Sequence, residues 1–226
     1  MQRWRRALVT GASSGIGDAL ARRLAADGTA LVAVARDEAR LTALRDALDV
    51  ECQVLVADLA ADAALERVAD RLRDDAAPVD LLLNNAGLGF VGPFHSADPT
   101  REATVVDVNL VAVHRLAQAA ASAFREAWHR RWHPQRVVAG CLHADAVRCH
   151  LRGHEGVREQ HVRGPAHGTE ALWHPGDTEE VAAAGLAGVA ANRPLVIPGR
   201  LNRMSATFVN ALPAVLRRAA VARMSR

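Results

Sequence analysis

Two residue types are missing from this chain of 226 residues: its 28 basic residues are all Arg, with no Lys, and it has 0 Tyr. A site that needs a lysine amine or a phenol therefore cannot exist anywhere in it, however an alignment is drawn. Cysteine is scarce, and Cys52, Cys141 and Cys149 form no C-x-x-C pair, which argues against a disulfide framework. No apolar run approaches the ~20 residues of a spanning helix, so no membrane span is expected. The opening MQRWRRALVTGASS runs straight into a glycine loop and does not fit a signal peptide, so a cytoplasmic protein is expected. With 50% apolar and 23% charged residues the composition is that of an ordinary globular domain, and one domain over 1–226 is expected.

Charge is present but unevenly spread. The net +3 is too small to name a partner, yet residues 1–124 hold 13 Arg against 17 acids and residues 125–226 hold 15 Arg against 8. Eight of the ten His and three of the four Trp fall within 128–174. The first half has a regular pattern. Apolar runs at 7–10, 29–35, 51–60 and 79–87 read as strands, and helical spacings at 18–28, 37–49 and 61–75 read as the helices between them. Gly28 is a plausible C-cap and Pro78 breaks the third helix. This βαβαβαβ alternation predicts a parallel sheet covered by helices on both faces, an α/β class with three layers.

Between the first strand and helix lies GASSGIG, with Gly11, Gly15 and Gly17 in a G-x-x-x-G-x-G pattern. Glycine admits positive φ and leaves no Cβ between the backbone and a bound pyrophosphate. The helix that follows turns free N–H groups and a positive dipole end toward the phosphates, and Ser13, Ser14 and Ile16 complete the loop. Nucleotide binding is therefore expected, with a simple tight turn as the bland alternative. At the end of the second strand an acid would bind the ribose 2′-hydroxyl of NAD, whereas Ala35-Arg36 places an Arg there, suited to a 2′-phosphate. NADP is the expected cofactor, with NAD less favoured; Asp37 next door cuts against that preference.

TGASSGIG at 10–17, Asp58 after the third strand, NNAG at 84–87 and Asn109 in VNLVAV resemble, in that order, the motifs of the short-chain dehydrogenase/reductase family. The likeness covers residues 7–122. It implies a doubly wound Rossmann-type domain and hydride transfer between a nicotinamide dinucleotide and a small carbonyl or alcohol substrate. It implies that Asp58 and Leu59 contact adenine, that Asn85, Ala86 and Gly87 line the cofactor cleft, and that Asn109 holds a water in a proton relay. The family also needs a Ser, a Tyr and a Lys, the last lowering the pKa of the phenol that protonates the carbonyl oxygen. This chain lacks two of the three residue types.

Residues 128–165 have almost no apolar periodicity, so the strand and long helix of the family are expected to be missing and the segment near 128–170 disrupted. Back-translated and read from the second base of each codon, Trp128–Val138 can encode Gly-Ile-Gly-Gly-Gly-Ile-Leu-Asn-Val-Ser-Ser, and Leu151 to Glu155 can encode Tyr-Ala-Ala-Thr-Lys. The Ser, Tyr and Lys slots then fall on Val138, Leu151 and Glu155, spaced 13 and 4 apart as the family requires. A stretch from about 125–128 to about 165–175 translated out of frame accounts for both the His/Trp/Arg burst and the missing set. The chain as written is expected to be an inactive oxidoreductase; a non-catalytic nucleotide-binding scaffold is the alternative.

Other readings of the segment are weaker. His129 with His133, and His150 with His154, are four apart as zinc ligands on a helix would be, but no helical pattern or H-E-x-x-H presents them, so no metal is expected. Arg130, Arg131 and Arg136 beside Trp128 and Trp132 suit nucleic acid, yet a solvated basic loop explains them, so no nucleic-acid partner is expected. Thr178 is placed beside the cofactor by the resemblance, and 178–191 reads as a helix it caps. Residues 193–199 read as a last strand. The basic amphipathic tail 200–226 has core packing as its default role; covering the substrate pocket, touching a membrane surface and joining subunits into a homo-oligomer stay open.

Overall fold

The computed structural model describes residues 4–89, 97–130, 137–143, 157–163, 178–191, 193 and 195–196. Among the described residues seven strands form one sheet: β1 (Arg6–Thr10), β2 (Ala30–Ala35), β3 (Cys52–Val56), β4 (Leu81–Asn84), β5 (Val137–His143), β6 (Val157–Arg163) and β7 (Leu195–Val196). All neighbouring pairs are parallel, in the order β3-β2-β1-β4-β5-β6-β7. The order reverses between β1 and β4, so the sheet is doubly wound and its switch point lies there, where α/β sheets bind ligands.

The helices are α1 (Gly15–Ala26), α2 (Glu38–Asp46), α3 (Asp62–Arg73), α4 (Pro99–Val106), α5 (Val113–Arg130) and α6 (Thr178–Ala190), with a π-helical stretch, Asp107–Ala112, joining α4 to α5. Alternate residues of each central strand feed two cores. Ala7 and Val9, Leu31 and Ala33, and Leu81 and Leu83 pack with α1, α2 and α6. Leu8, Val32, Val34 and Leu82 pack with α3 and α5. Strands buried on both faces read as unbroken apolar runs, which is why β1, β2 and β4 are plain in the sequence.

The end of α1 shows how locally the chain is directed. Gly28 has φ 82°, its N–H donates to the Ala25 carbonyl, and the Thr29 N–H donates back to Leu24. This is a Schellman closure, and its left-handed position is the one that glycine fills without a steric penalty. It turns the chain at once into β2.

One expectation is corrected. The segment 128–165 was expected to carry no strand, yet β5 and β6 lie within it, and α5 continues to Arg130. A central parallel strand is specified largely by the strands that hydrogen-bond to it, and the open edge of β4 supplies that template for a run as weakly patterned as VVAGCLH. Leu151 and Glu155, His133, His150 and His154, and the tail 200–226 lie outside the described residues.

Candidate functional site: a cleft at the carboxyl edge of the sheet

The loops leaving β1, β2, β3 and β4 enclose a cleft of about 560 Å³. Of the residues the sequence points to, Gly11, Ser13, Ser14, Ile16, Arg36, Asp58, Leu59, Asn85, Ala86 and Gly87 all line it. Gly15 and Gly17 do not line it; they shape the turn. Gly11 and Gly15 have φ of 68° and 56°. A Cβ on Gly17 would run into the Gly11 carbonyl, and one on Gly11 would come within 2.9 Å of the Ala86 Cα. The β1–α1 loop therefore lies against the β4 loop with no room for a side chain between them.

Thr10 fastens those two loops, and the sequence reading gives it no role. Buried at the end of β1, its Oγ1 accepts from the N–H groups of Asn85 and Ala86, each at 2.9 Å, and donates to the Leu83 carbonyl at 3.3 Å. The Asn85 amide returns the link, donating to the Thr10 carbonyl at 3.0 Å. The available signal was a hydroxyl ending an otherwise apolar strand.

The start of α1 faces the same cleft. Its N-cap, Ser14, is extended and makes no side-chain capping bond, whereas Asp37 caps α2 and Asp98 caps α4. The first N–H groups of α1 and its positive dipole end are thus left for an anion. Together with the glycine cradle, this donor set fits the pyrophosphate of a dinucleotide.

At the far wall, Arg36 and Asp37 stand at the end of β2, and their carboxylate and guanidinium would favour opposite ribose substituents. The structure separates them. One oxygen of Asp37 accepts from the Arg40 N–H at 3.0 Å, and the other lies 3.3 Å from the Arg40 guanidinium. Both residues are exposed and line the cleft, but the acid is engaged in capping α2. Asp58 accepts from the Ala60 N–H at 3.1 Å, which turns the chain and sets buried Leu59 into the wall. Val34, Ala35, Ala57, Leu88 and Val108 also line the cleft and escape sequence reasoning, being apolar residues with no motif of their own.

Asn109 sits in the π-helical stretch, nearly buried. Its Oδ1 accepts from the Leu88 N–H at 3.0 Å and its Nδ2 donates to the Leu88 carbonyl at 2.7 Å. The widened turn brings this amide to the β4 loop, where it satisfies both backbone polar groups of one residue, Leu88. Thr178 is the first residue of α6 and is exposed. Val138 is the second residue of β5, opposite Arg158, so in this fold it lies toward the amino end of its strand. Among the described residues no three His, Cys, Asp or Glu gather as metal ligands would.

The profile of the short chain dehydrogenase family matches residues 5–130. The chain belongs to the short chain dehydrogenase family. It is 34% identical over 125 residues to the 3-oxoacyl-(acyl-carrier-protein) reductase FabG of Escherichia coli, which covers 55% of this chain and 51% of that protein. It is 36% identical over 103 residues to the NADP-dependent 3-hydroxy acid dehydrogenase YdfG of Salmonella typhimurium, 45% of this chain and 42% of that one. The chain thus spans about half the length of the curated relatives it matches. A metagenomic short-chain oxidoreductase solved in complex with NADP superposes with TM-score 0.66 at 25% identity, over 86% of this chain and 97% of the other. The doubly wound Rossmann-type fold is the family's own. No helix among the described residues is long and apolar enough to cross a membrane.

Proposed function

We propose that this short chain dehydrogenase binds NADP(H) in the cleft, as a cytoplasmic protein, and that the chain as written does not carry out the family's carbonyl reduction at a normal rate. The observation that carries the cofactor choice is the division of labour at the end of β2: both residues line the cleft, but the Asp37 carboxylate is engaged by α2, and Arg36 stands exposed beside it. A 2′-phosphate would be held by Arg36 through charge-assisted hydrogen bonds. The pyrophosphate would lie on the N–H groups that open α1, beside Gly11 and Ser13. Asp58 and Leu59 would bound the adenine, and Asn85, Ala86 and Gly87 the nicotinamide half. When bound, the dinucleotide supplies a hydride donor or acceptor. The protein's part in such a reaction is to shield the site from water and to protonate the carbonyl oxygen, and with 0 Tyr and no Lys the family's donor is absent.

The two halves of the proposal are tested separately. Fluorescence titration should show NADPH bound more tightly than NADH, and Arg36→Leu should weaken NADPH by about 10-fold or more, the size of one charge-assisted hydrogen bond, while leaving NADH nearly unchanged. Equal loss for both would remove Arg36 from the 2′-phosphate. NADPH oxidation over a panel of carbonyl compounds should stay at background for the mass-verified chain; robust turnover would refute the missing-donor argument. A chain translated in the second-base frame over 128–155, which carries Val138→Ser, Leu151→Tyr and Glu155→Lys, should turn over if the segment is a shifted frame. If it too is silent, the non-catalytic binding protein is the better reading. Sequencing the coding DNA for a tyrosine codon in that frame at Leu151 decides the frame directly.

A further inference from the structure

Arg36 and Asp37 line the cleft at the end of β2; Arg40 does not line it but touches Asp37. That contact has two parts. One oxygen of Asp37 accepts from the Arg40 N–H at 3.0 Å, which caps α2, and the other lies 3.3 Å from Arg40 Nε, which pairs the charges. The first part belongs to the backbone and does not need an Arg. The second belongs to the side chain, and neither the fold nor the helix accounts for it. Both side chains are exposed, and an exposed ion pair adds little to stability. Arg40 is also the third residue of α2, where a cation meets the positive end of the helix dipole and is disfavoured. Charge supplies a reason. Over 36–40 the chain carries Arg36, Asp37, Glu38 and Arg40, which cancel. Without Arg40 the balance turns negative, and an unpaired carboxylate stands on the cleft wall beside Arg36. Such a group repels a phosphate and accepts from a ribose 2′-hydroxyl.

We propose that Arg40 sets the preference for NADP over NAD through Asp37: by pairing with that carboxylate it keeps the acid from opposing a 2′-phosphate held by Arg36. Arg40 is thus a positioning residue, acting on the cofactor from behind the wall of the cleft. The inference rests on the dinucleotide reading of the cleft and deepens it, since Asp37 would otherwise favour the opposite ribose substituent.

Fluorescence titration of the full chain with NADPH and with NADH tests this without turnover. Arg40→Gln keeps the backbone N–H, and with it the cap on α2, and removes only the charge. It should weaken NADPH by about 3-fold or more, the scale of one charge interaction at an exposed site, and leave NADH unchanged or tighter. A merely structural role would weaken both alike. Arg40→Lys keeps the charge and should keep most of the preference. Arg40→Gln combined with Asp37→Asn removes both charges, retains a capping side chain, and should bring NADPH binding back close to that of the unsubstituted chain. An unshifted ratio in Arg40→Gln, or equal loss for both dinucleotides, overturns the inference. So does a double variant as weak as Arg40→Gln, which would mean that Arg40 grips the phosphate itself. If the unsubstituted chain binds neither dinucleotide, or NADH the more tightly, the cofactor reading falls and this inference with it; a normal preference that Arg40→Gln does not move overturns the inference alone.

Discussion

Thr10 carries more of the site's geometry than any residue that lines the cleft. One hydroxyl closes two N–H groups and one carbonyl, all at the junction of β1 and β4. Thr10→Val keeps the shape and removes the acceptor, leaving the Ala86 N–H without its Thr10 partner and the Asn85 N–H with the Leu83 carbonyl alone, and an unsatisfied buried donor costs about 1–3 kcal/mol. Urea unfolding should show a loss of that order, and NADPH titration a weaker site; a variant of unchanged stability would mean that other acceptors replace the hydroxyl. Gly17 is rigid for a different reason. Its missing Cβ is the space occupied by the Gly11 carbonyl, so Gly17→Ala should displace the loop and abolish dinucleotide binding.

At the scale of elements, caps decide which helix ends are free. Asp37 closes α2 through the Arg40 N–H, and Asp37→Ala should cost about 1 kcal/mol in thermal or urea unfolding. The same substitution releases Arg40 from its ion pair, so NADPH affinity should hold or rise. A fall in affinity would show that Asp37 itself binds the ribose. Much of this level was legible in the sequence: β1, β2 and β4 as apolar runs, α1 to α3 by their spacing, Gly28 as a helix end. Legibility failed where local pattern stops deciding. β5 and β6 have mixed composition, and they exist as strands because a parallel neighbour offers unpaired backbone groups on the exposed flank of β4. The π-helical stretch was equally invisible, since one widened turn changes no periodicity over six residues.

For the whole molecule, two carboxylates should give opposite pH signatures. Asp80 is buried where β4 begins and accepts from the N–H groups of Arg5 and Arg6 at 2.8 and 3.1 Å, tying the start of β1 to β4. Burial pushes its carboxyl up, and those two hydrogen bonds only partly offset it. The folded state then holds the proton more tightly than the unfolded chain, so this contribution to stability falls as pH rises from the unfolded value through the folded one. The penalty of Asp80→Asn should therefore grow on acidification from neutrality. Glu66 is the reverse: hydrogen bonds from Arg73 and Arg115 hold it below the usual glutamate range. Its contribution is present above the unfolded value and is lost as pH falls through the folded one, so the penalty of Glu66→Gln should shrink in acid. Unfolding curves from pH 3 to 7 measure both slopes. Parallel slopes for the two variants would contradict the assignment.

The chain's residues, read without a fold, already settle that no phenol or lysine amine can act, that β and α alternate through the first half, and that a glycine loop stands between a strand and a helix. These follow from composition and short-range periodicity, which need no partner in space. Three matters were left to tertiary structure. Arg36 and Asp37 both reach the cleft, but the carboxylate of Asp37 is engaged by Arg40, because a helix start competes for the acid. Thr10 and Asn109 become the fasteners of the β4 loop, because strands and a widened helical turn far apart in sequence meet there. β5 and β6 join the sheet beyond β4, because strand pairing, a property of neighbouring backbones, is set by the strand alongside and not by local pattern.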